Sequence, residues 1–248
     1  MALSGYMFDN YDDVFPYCEE QGKGSCYEFC KNLSEMYDCA VVCGYPEKEQ
    51  NQGSAIPFKL FNSIYIVSAD GSFVNYRKHF LYEQDMKWAQ EGEEFKSFIL
   101  RINDKKILED DPVDDEENCN NYIRVGAGIC MDINNGTDFS TDYYAKEFAN
   151  FHKDKESELI LFAANWLANR DDPSDCLSTQ SYWVERMAPI MKSQPITYFA
   201  ACNRTGIEKD TQFAGASCVL MLNKKRPVIL QDASHDEECV KVREIYFP

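Results

Sequence analysis

The sequence is short of positive charge. Lysine and arginine number 25 against 42 aspartates and glutamates, a formal net charge of −17 at pH 7. Such a field repels a phosphate backbone and an anionic membrane surface, so neither nucleic acid nor membrane is expected as a partner. No apolar run approaches the roughly 18–20 residues of a membrane span. The opening stretch, Met1 to Asn10, has no basic region and no apolar stretch of signal-peptide type. The expected location is therefore cytoplasmic, or nuclear. No Gly/Ser-rich linker and no repeat of 20–50 residues breaks the chain, which reads as one domain over 1–248. Histidine is scarce, at three residues. His152 and His235 have no cysteine or carboxylate at a telling spacing, so a Cys–His protease cannot be built. No phosphate loop or dinucleotide fingerprint occurs.

What is present is a globular composition, 44% hydrophobic and 14% aromatic, with eleven cysteines. In a reducing compartment these read as free thiols. Cys26-x3-Cys30 and Cys39-x3-Cys43 invite a four-thiolate zinc site. One pair lies on a helix face and the other along a strand, without the tight knuckle of a zinc ribbon. No metal or organic cofactor is expected. Sequons at Asn32, Asn135 and Asn203 carry little meaning without an export signal.

Strands alternate with helices along the chain. Ser25 caps a helix carrying Cys26, Tyr27, Cys30, Leu33 and Tyr37 on about one face. Cys39 to Cys43 reads as a buried strand that stops at Gly44. Asp70-Gly71 between Asn62–Ser68 and Phe73–Arg77 is a hairpin signal. Further strands are expected at Phe98–Ile102, Tyr122–Ile129, Leu159–Ala164, Ile196–Cys202, Ser217–Leu222, Val228–Gln231 and Val240–Ile245. Helices are expected over Asp142–His152, capped by Thr141, and over Thr179–Lys192, broken at Pro189. Glu109–Glu117 holds seven acids in nine residues and reads as a solvated loop. The fold class is mixed α/β, with two sheets and helices packed outside them.

Three local features can carry chemistry. In Gly126-Ala127-Gly128-Ile129-Cys130-Met131-Asp132 a strand of small and β-branched residues ends at a cysteine. Open α/β folds place ligands at such strand ends. In Tyr76-Arg77-Lys78-His79-Phe80-Leu81 a lysine adjoins a hairpin end, and a lysine near a thiol favours the nucleophilic thiolate. In Trp88-Ala89-Gln90-Glu91-Gly92 a carboxylate sits beside an aromatic residue. Each also has a plain structural reading: a buried thiol, an exposed basic turn, a surface turn.

Together, in this order, the pieces resemble the nitrilase, or carbon–nitrogen hydrolase, superfamily. Gly5-Tyr6 resembles the pair after its first catalytic segment. Phe61-Asn62-Ser63 through Asp70-Gly71 to Tyr76-Arg77-Lys78 resembles the hairpin that delivers its lysine. Gly128-Ile129-Cys130-Met131-Asp132 resembles its nucleophile motif, and Glu158 to Trp166 the strand ending in Asn-Trp. Asn203-Arg204-Thr205-Gly206-Ile207-Glu208 and Phe213-Ala214-Gly215-Ala216-Ser217 resemble its C-terminal signature. Within the superfamily the likeness is to the N-terminal asparagine/glutamine amidohydrolases, or N-terminal amidases. It rests on Cys130-Met131-Asp132-Ile133-Asn134, on Phe80-Leu81-Tyr82 to Trp88 with Glu91-Gly92, and on Glu147-Phe148-Ala149. Asn135 departs from it, where proline is expected.

The resemblance implies an α-β-β-α sandwich and a Glu–Lys–Cys centre. Cys130 is the implied nucleophile, attacking the side-chain carboxamide of an N-terminal Asn, or Gln, of a protein or peptide. Lys78 and the backbone N–H of Met131 face the oxyanion. Glu91 orients Lys78 and substrate, and Asp132, Asn165 and Trp166 complete the substrate-binding set. Ammonia leaves, a thioester forms, and water releases N-terminal Asp or Glu, which feeds the pathway linking N-terminal residue to protein lifetime. The superfamily often pairs subunits, so a homo-oligomer is a candidate state.

One carboxylate of the family pattern is missing. The general base is a glutamate in a Pro-Glu pair just before Gly-Tyr, and Met1 stands immediately after its place. The resemblance then implies a fold lacking the first strand, first helix and second strand. A truncated or misassigned start is the expected explanation. Loss of a base costs on the order of 10²–10⁴ in rate, and lost strands leave edges or core uncovered. Glu47 in Gly44-Tyr45-Pro46-Glu47 offers a second Pro-Glu pair but reads as a strand-end carboxylate. The alternatives are an amidase or carbamoylase acting on a free small amide, and a catalytically impaired pseudoenzyme that only binds N-termini.

Overall fold

An apolar-rich run in Phe58–Val67 and an alternating one in Phe73–Arg77, with an Asp-Gly turn between, build the first clear unit of the computed structural model. The structure describes residues 1–53, 55–108, 121–193 and 196–247. A short helix α1 (Tyr11–Val14), capped by Asn10, precedes α2 (Ser25–Tyr37). Strands β1 (Val41–Gln50), β2 (Phe58–Val67) and β3 (Phe73–Arg77) form an antiparallel sheet in that order. Then follow β4 (Lys96–Arg101), β5 (Ile107–Leu108), β6 (Tyr122–Ile129), α3 (Glu147–Asp154), β7 (Leu159–Ala164), α4 (Cys176–Arg186), α5 (Ala188–Ser193) and β8 (Ile196–Asn203). A two-stranded ribbon, β9 (Ile207–Glu208) with β10 (Thr211–Gln212), leads to β11 (Cys218–Asn223) and β12 (Val228–Asp232). The second sheet runs β12-β11-β8-β7-β6-β4-β5, parallel at β6–β7–β8 and antiparallel elsewhere.

Period-two alternation sorts each strand's side chains into two layers. Ile160, Phe162 and Ala164 of β7 meet Phe148, Trp183, Met187 and Ile190 of the helices on one side. On the other side Val125, Ala127 and Ile129 of β6 meet Ile64, Ile66, Val74 and Tyr76 of the small sheet. Cys26 and Cys30 of α2 pack on the outer face of that sheet, against Tyr45, Tyr65 and Val67. The layers are therefore helix, sheet, sheet, helices, as the resemblance implies.

The small sheet covers only part of the large one. Past its β1 edge lies a cavity of about 720 Å³, lined by Val42 and Gly44 and by Ala200, Cys202, Val219 and Gln231 of the facing sheet.

Several boundaries differ from the sequence expectation. β1 does not stop at Gly44 but runs on through Pro46 to Gln50. Pro46 is tolerated because β1 is an edge strand, where a missing N–H costs no ladder bond. Gly24, not Ser25, is the N-cap of α2. The Glu19 carboxylate caps this helix instead, accepting from the Cys26 N–H at 2.8 Å and from the Ser25 hydroxyl at 2.8 Å. The helix begun at Asp142 starts at Glu147, after Lys146 in the left-handed region. The helix expected to break at Pro189 breaks at Met187, and Pro189 sits in the first turn of α5, where proline is accommodated. Val240–Ile245 is not a strand. Val240 and Val242 are exposed, and the segment is anchored by Phe247 against Tyr198 and by the Tyr198 hydroxyl donating to the Tyr246 carbonyl at 2.8 Å. The acidic run Glu109–Glu117 lies outside the described residues. Asn135 and Asn203 are buried, and their side-chain amides donate to backbone carbonyls.

Candidate active site

β6 carries its small residues inward because Gly126 and Gly128 leave room that side chains occupy. A Cβ at Gly126 would lie 2.5 Å from the His152 ring, and one at Gly128 2.5 Å from Phe148. The strand ends at Cys130, which opens a 3-10 turn, Cys130–Ile133, in the left-handed region at φ 46°. A non-glycine residue held there costs of order 1–3 kcal/mol and persists only where its surroundings fix it.

Asp132 does the fixing. Its Oδ2 accepts from the Ile129 N–H at 2.7 Å and the Tyr76 hydroxyl at 2.7 Å. Its Oδ1 accepts from the N–H groups of His79 and Phe80 at 3.0 and 2.9 Å. The fully buried carboxylate thus ties the cysteine turn to the segment just after Lys78. Burial raises its pKa, and the Phe80 N–H, Lys78 and the Tyr76 hydroxyl offset part of that rise.

Lys78 follows β3. Its backbone N–H donates to the Asn62 carbonyl at 2.8 Å, and its own carbonyl accepts from Gly92 at 2.8 Å. Gly92 is needed there, because a Cβ would fall 2.3 Å from the Arg77 carbonyl oxygen. The Lys78 ammonium is buried and paired with Asp85 at 2.5 Å. Asp85 Oδ1 also accepts from the Asn62 amide at 2.9 Å, and its Oδ2 from the Tyr82 N–H at 3.1 Å. Burial lowers the Lys78 pKa, but Asp85, with Cys130 and Asp132, outweighs it and the net shift is upward. Lys78 is therefore a held cation.

Asp132 ties the Cys130 turn to the residues just after Lys78, and across that link Lys78 lowers the thiol's pKa while Cys130 raises the lysine's. Burial pushes the half-buried thiol up to about 11, with Asp85 adding to the rise. Lys78 and the backbone of Asn165 pull it back. Met131 is buried beside it, and the Trp166 N–H donates to the Asn203 side chain at 2.7 Å. Asn165 and Asn203 line the large cavity, so that space reaches the edge of the site.

Glu91 is placed differently from the expectation. It is exposed and accepts a short hydrogen bond from the Thr137 hydroxyl, while the ion pair to Lys78 is made by Asp85. Glu47 is buried away from the sulfur, taken up by Ser63 at 2.7 Å, Asn75 at 2.8 Å and Arg77 at 2.5 Å. It lies inside β1 and not at the strand's end, because β1 runs on to Gln50.

Two site residues are missing from the sequence reading. Asp85 lies seven positions after Lys78 in Tyr82-Glu83-Gln84-Asp85, where polar neighbours make it look like surface. Tyr6 is buried, and its hydroxyl has no hydrogen-bond partner among the described residues. Burial foremost, then the charges of Asp85 and Cys130, hold its pKa well above the usual phenol value. Tyr6 is located by Glu208, whose carboxylate accepts from the Tyr6 and Met7 N–H groups at 3.0 and 3.1 Å and pairs with Arg204. The motif Asn203–Glu208 thus holds the Gly5-Tyr6 segment against the site.

A four-layer α-β-β-α fold with a strand-end cysteine facing a buried lysine–carboxylate pair defines the class of cysteine hydrolases that act on carbon–nitrogen bonds. The carbon-nitrogen hydrolase family model matches residues 1–245, and the chain belongs to that family. It is 30% identical over 247 residues to the protein N-terminal amidase of Schizosaccharomyces pombe, covering 92% of this chain and 79% of that protein. It is 33% identical over 169 residues to the protein N-terminal amidase of Saccharomyces cerevisiae, covering 67% of this chain and 35% of that one. The chain thus spans only about a third of the second relative. Among solved structures, an N-terminal amidase crystal structure superposes with a TM-score of 0.74 at 20% identity, covering 94% of this chain and 84% of that one. A complex of an N-terminal amidase with an Asn-Glu peptide gives 0.73 at 18% identity with the same coverage.

Proposed function

We propose that the protein deamidates N-terminal asparagine, and glutamine, of proteins and peptides through a Cys130 thioester. The observation that carries the reading is the Cys130 sulfur at the end of β6, opposite a Lys78 ammonium fixed by Asp85, in a chain similar to N-terminal amidases over most of its length. Cys130 Sγ attacks the side-chain carboxamide carbon. The oxyanion forms against Lys78 and the Met131 N–H, and donors aimed at such a charge are worth about 3–4 kcal/mol each. The thiol proton ends on the departing nitrogen and ammonia leaves. Water then cleaves the thioester, giving the acid and restoring the thiol.

Asp85 and Asp132 have their oxygens occupied by donors, so both act as positioning residues. Glu91, at the rim, meets the substrate's α-ammonium. Asn165 and Trp166 border the carboxamide. The substrates are protein N-termini in the cytoplasm. Among the described residues no helix is long and apolar enough to cross a membrane.

The test is ammonia release from peptides beginning with Asn or Gln. Release that disappears in Cys130→Ala and on N-acetylation of the peptide supports the reading. Turnover of free glutamine in preference to the peptides would favour the small-amide alternative. Tight peptide binding with no ammonia would favour the binder.

A further inference from the structure

The eleven cysteines are not spent on the active site. Ten are described and all are free thiols. Cys26 and Cys30 stand one turn apart on the buried face of α2, and Cys43 comes from β1 beneath it. All three are buried, and their sulfurs lie within 4.8 Å of one another, with Cys26 and Cys43 3.5 Å apart. Cys39, the fourth member of the two sequence pairs, follows the end of α2 and is not in the group. Spacing along the chain separates the pairs onto different elements. The packing of α2 on β1 then reunites one thiol of the second pair with both thiols of the first.

We propose that Cys26, Cys30 and Cys43 form a three-thiolate site for a soft d¹⁰ cation of the zinc class. A zinc–sulfur bond is about 2.3 Å, which sets tetrahedral sulfurs about 3.8 Å apart. With one pair at 3.5 Å and all three sulfurs within 4.8 Å of one another, small side-chain rotations close the set on an ion. Among the described residues this is the one group of three His, Cys, Asp or Glu side chains that could do so. Thiolates select such ions over hard cations. The surroundings, Tyr45, Tyr65 and Val67, supply no competing carboxylate. Glu19 is engaged at the start of α2. A cavity of about 180 Å³ bordered by Cys26, Glu19 and Gly44 adjoins the Cys26 side of the group.

Buried thiols also pack simply as small hydrophobes. Three sulfurs from two elements converging on one point is the arrangement a ligand set requires. Ion uptake replaces S–H protons, which leave to solvent.

The test uses reduced, metal-free full chain and Zn²⁺ alone, by competition with a chromophoric chelator, then Co²⁺ as a spectroscopic substitute. The proposal expects one equivalent of Zn²⁺, a sulfur-to-cobalt charge-transfer band, and release of protons on binding. Cys130→Ala keeps all three, and Cys43→Ser weakens binding by about tenfold or more. In the wild-type chain, bound Zn²⁺ protects Cys26, Cys30 and Cys43 from alkylation, read by mass spectrometry, which needs no variant to fold. No uptake, uptake lost in Cys130→Ala, or a trio alkylated equally with and without Zn²⁺ overturns it.

Discussion

Arg77 and Lys78 are neighbours in the chain, and each ends on a buried carboxylate, yet they do different work. Arg77 lies on Phe61, its guanidinium 3.9 Å from the ring centroid, and reaches both Glu47 and Glu49. Its side chain is 24% exposed. Glu47 spreads its bonds over Ser63, Asn75 and Arg77 across all three strands of the small sheet. Lys78 leaves the backbone on the opposite side and makes one ion pair, with Asp85, away from water. Each buried carboxylate has three partner residues, but Arg77 is shared between two carboxylates and lies partly in water, whereas Lys78 has one carboxylate and none of its side chain exposed. Strand alternation alone separates them, since successive side chains point to opposite faces.

The comparison breaks most sharply at Lys78. Lys78→Met leaves Asp85 charged and buried without its partner, and such losses cost about 3–5 kcal/mol. Asp85→Asn leaves the ammonium in the same condition. The double variant removes both charges and should recover much of the stability, measured by denaturant midpoint. Activity should not return with it, because the oxyanion has lost its cation. If the double variant recovers activity, Lys78 serves only as structure.

His152 shows a buried ionisable group with no counter-charge at all. It is packed 4.4 Å from Phe148 and shares a hydrogen bond with Ser157. Burial lowers its pKa to about 3. In the unfolded chain it takes a proton near pH 6.5, while the folded chain stays neutral. Below pH 6.5 the unfolded state therefore binds more protons, and stability falls as pH drops, by about 1.4 kcal/mol per unit until pH nears 3. His152→Gln should flatten the acid limb of a stability–pH curve by about that slope. An unchanged slope would mean that this ring is protonated in the folded state.

Much of this was legible from residue order. Asp-Gly between two β-rich runs located the hairpin, and the break at Cys130 located the turn that ends β6. What stayed hidden depends on side chains meeting across long separations. Glu208 holds the backbone of Tyr6 and Met7, and Asp132 binds His79 and Phe80, and neither link leaves a local signature. Asp85 was hidden for a different reason, since polar neighbours make any carboxylate look solvated. The edge position that lets Pro46 sit inside β1 also appears only once strand order is known.

Arg77→Met tests the other half of the comparison. It leaves Glu47 with Ser63 and Asn75, as Lys78→Met leaves Asp85 with Asn62 and Tyr82, but Arg77 is already partly in water, so the cost should be smaller, about 2 kcal/mol. Turnover should fall modestly, through slack in the strand that ends at Lys78. The pH profile should stay in place, since no reacting group is touched. A displaced profile would mean that the clamp also sets the charge of the site.

The smallest effect is expected at Glu91. Its exposed carboxylate meets Thr137, whose hydroxyl also accepts from the Leu81 N–H at 3.0 Å. Glu91→Gln keeps that hydrogen bond, so stability should change by less than about 0.5 kcal/mol. If Glu91 meets the α-ammonium of a peptide, KM should rise several-fold for free N-termini while kcat holds, because a rim charge binds ground and transition states alike. If it instead acts on Lys78 through the loop, kcat should fall with KM unchanged. Only the first outcome leaves the ammonium's position to Asp85 alone, and so keeps the contrast between a widely shared clamp and a single buried pair.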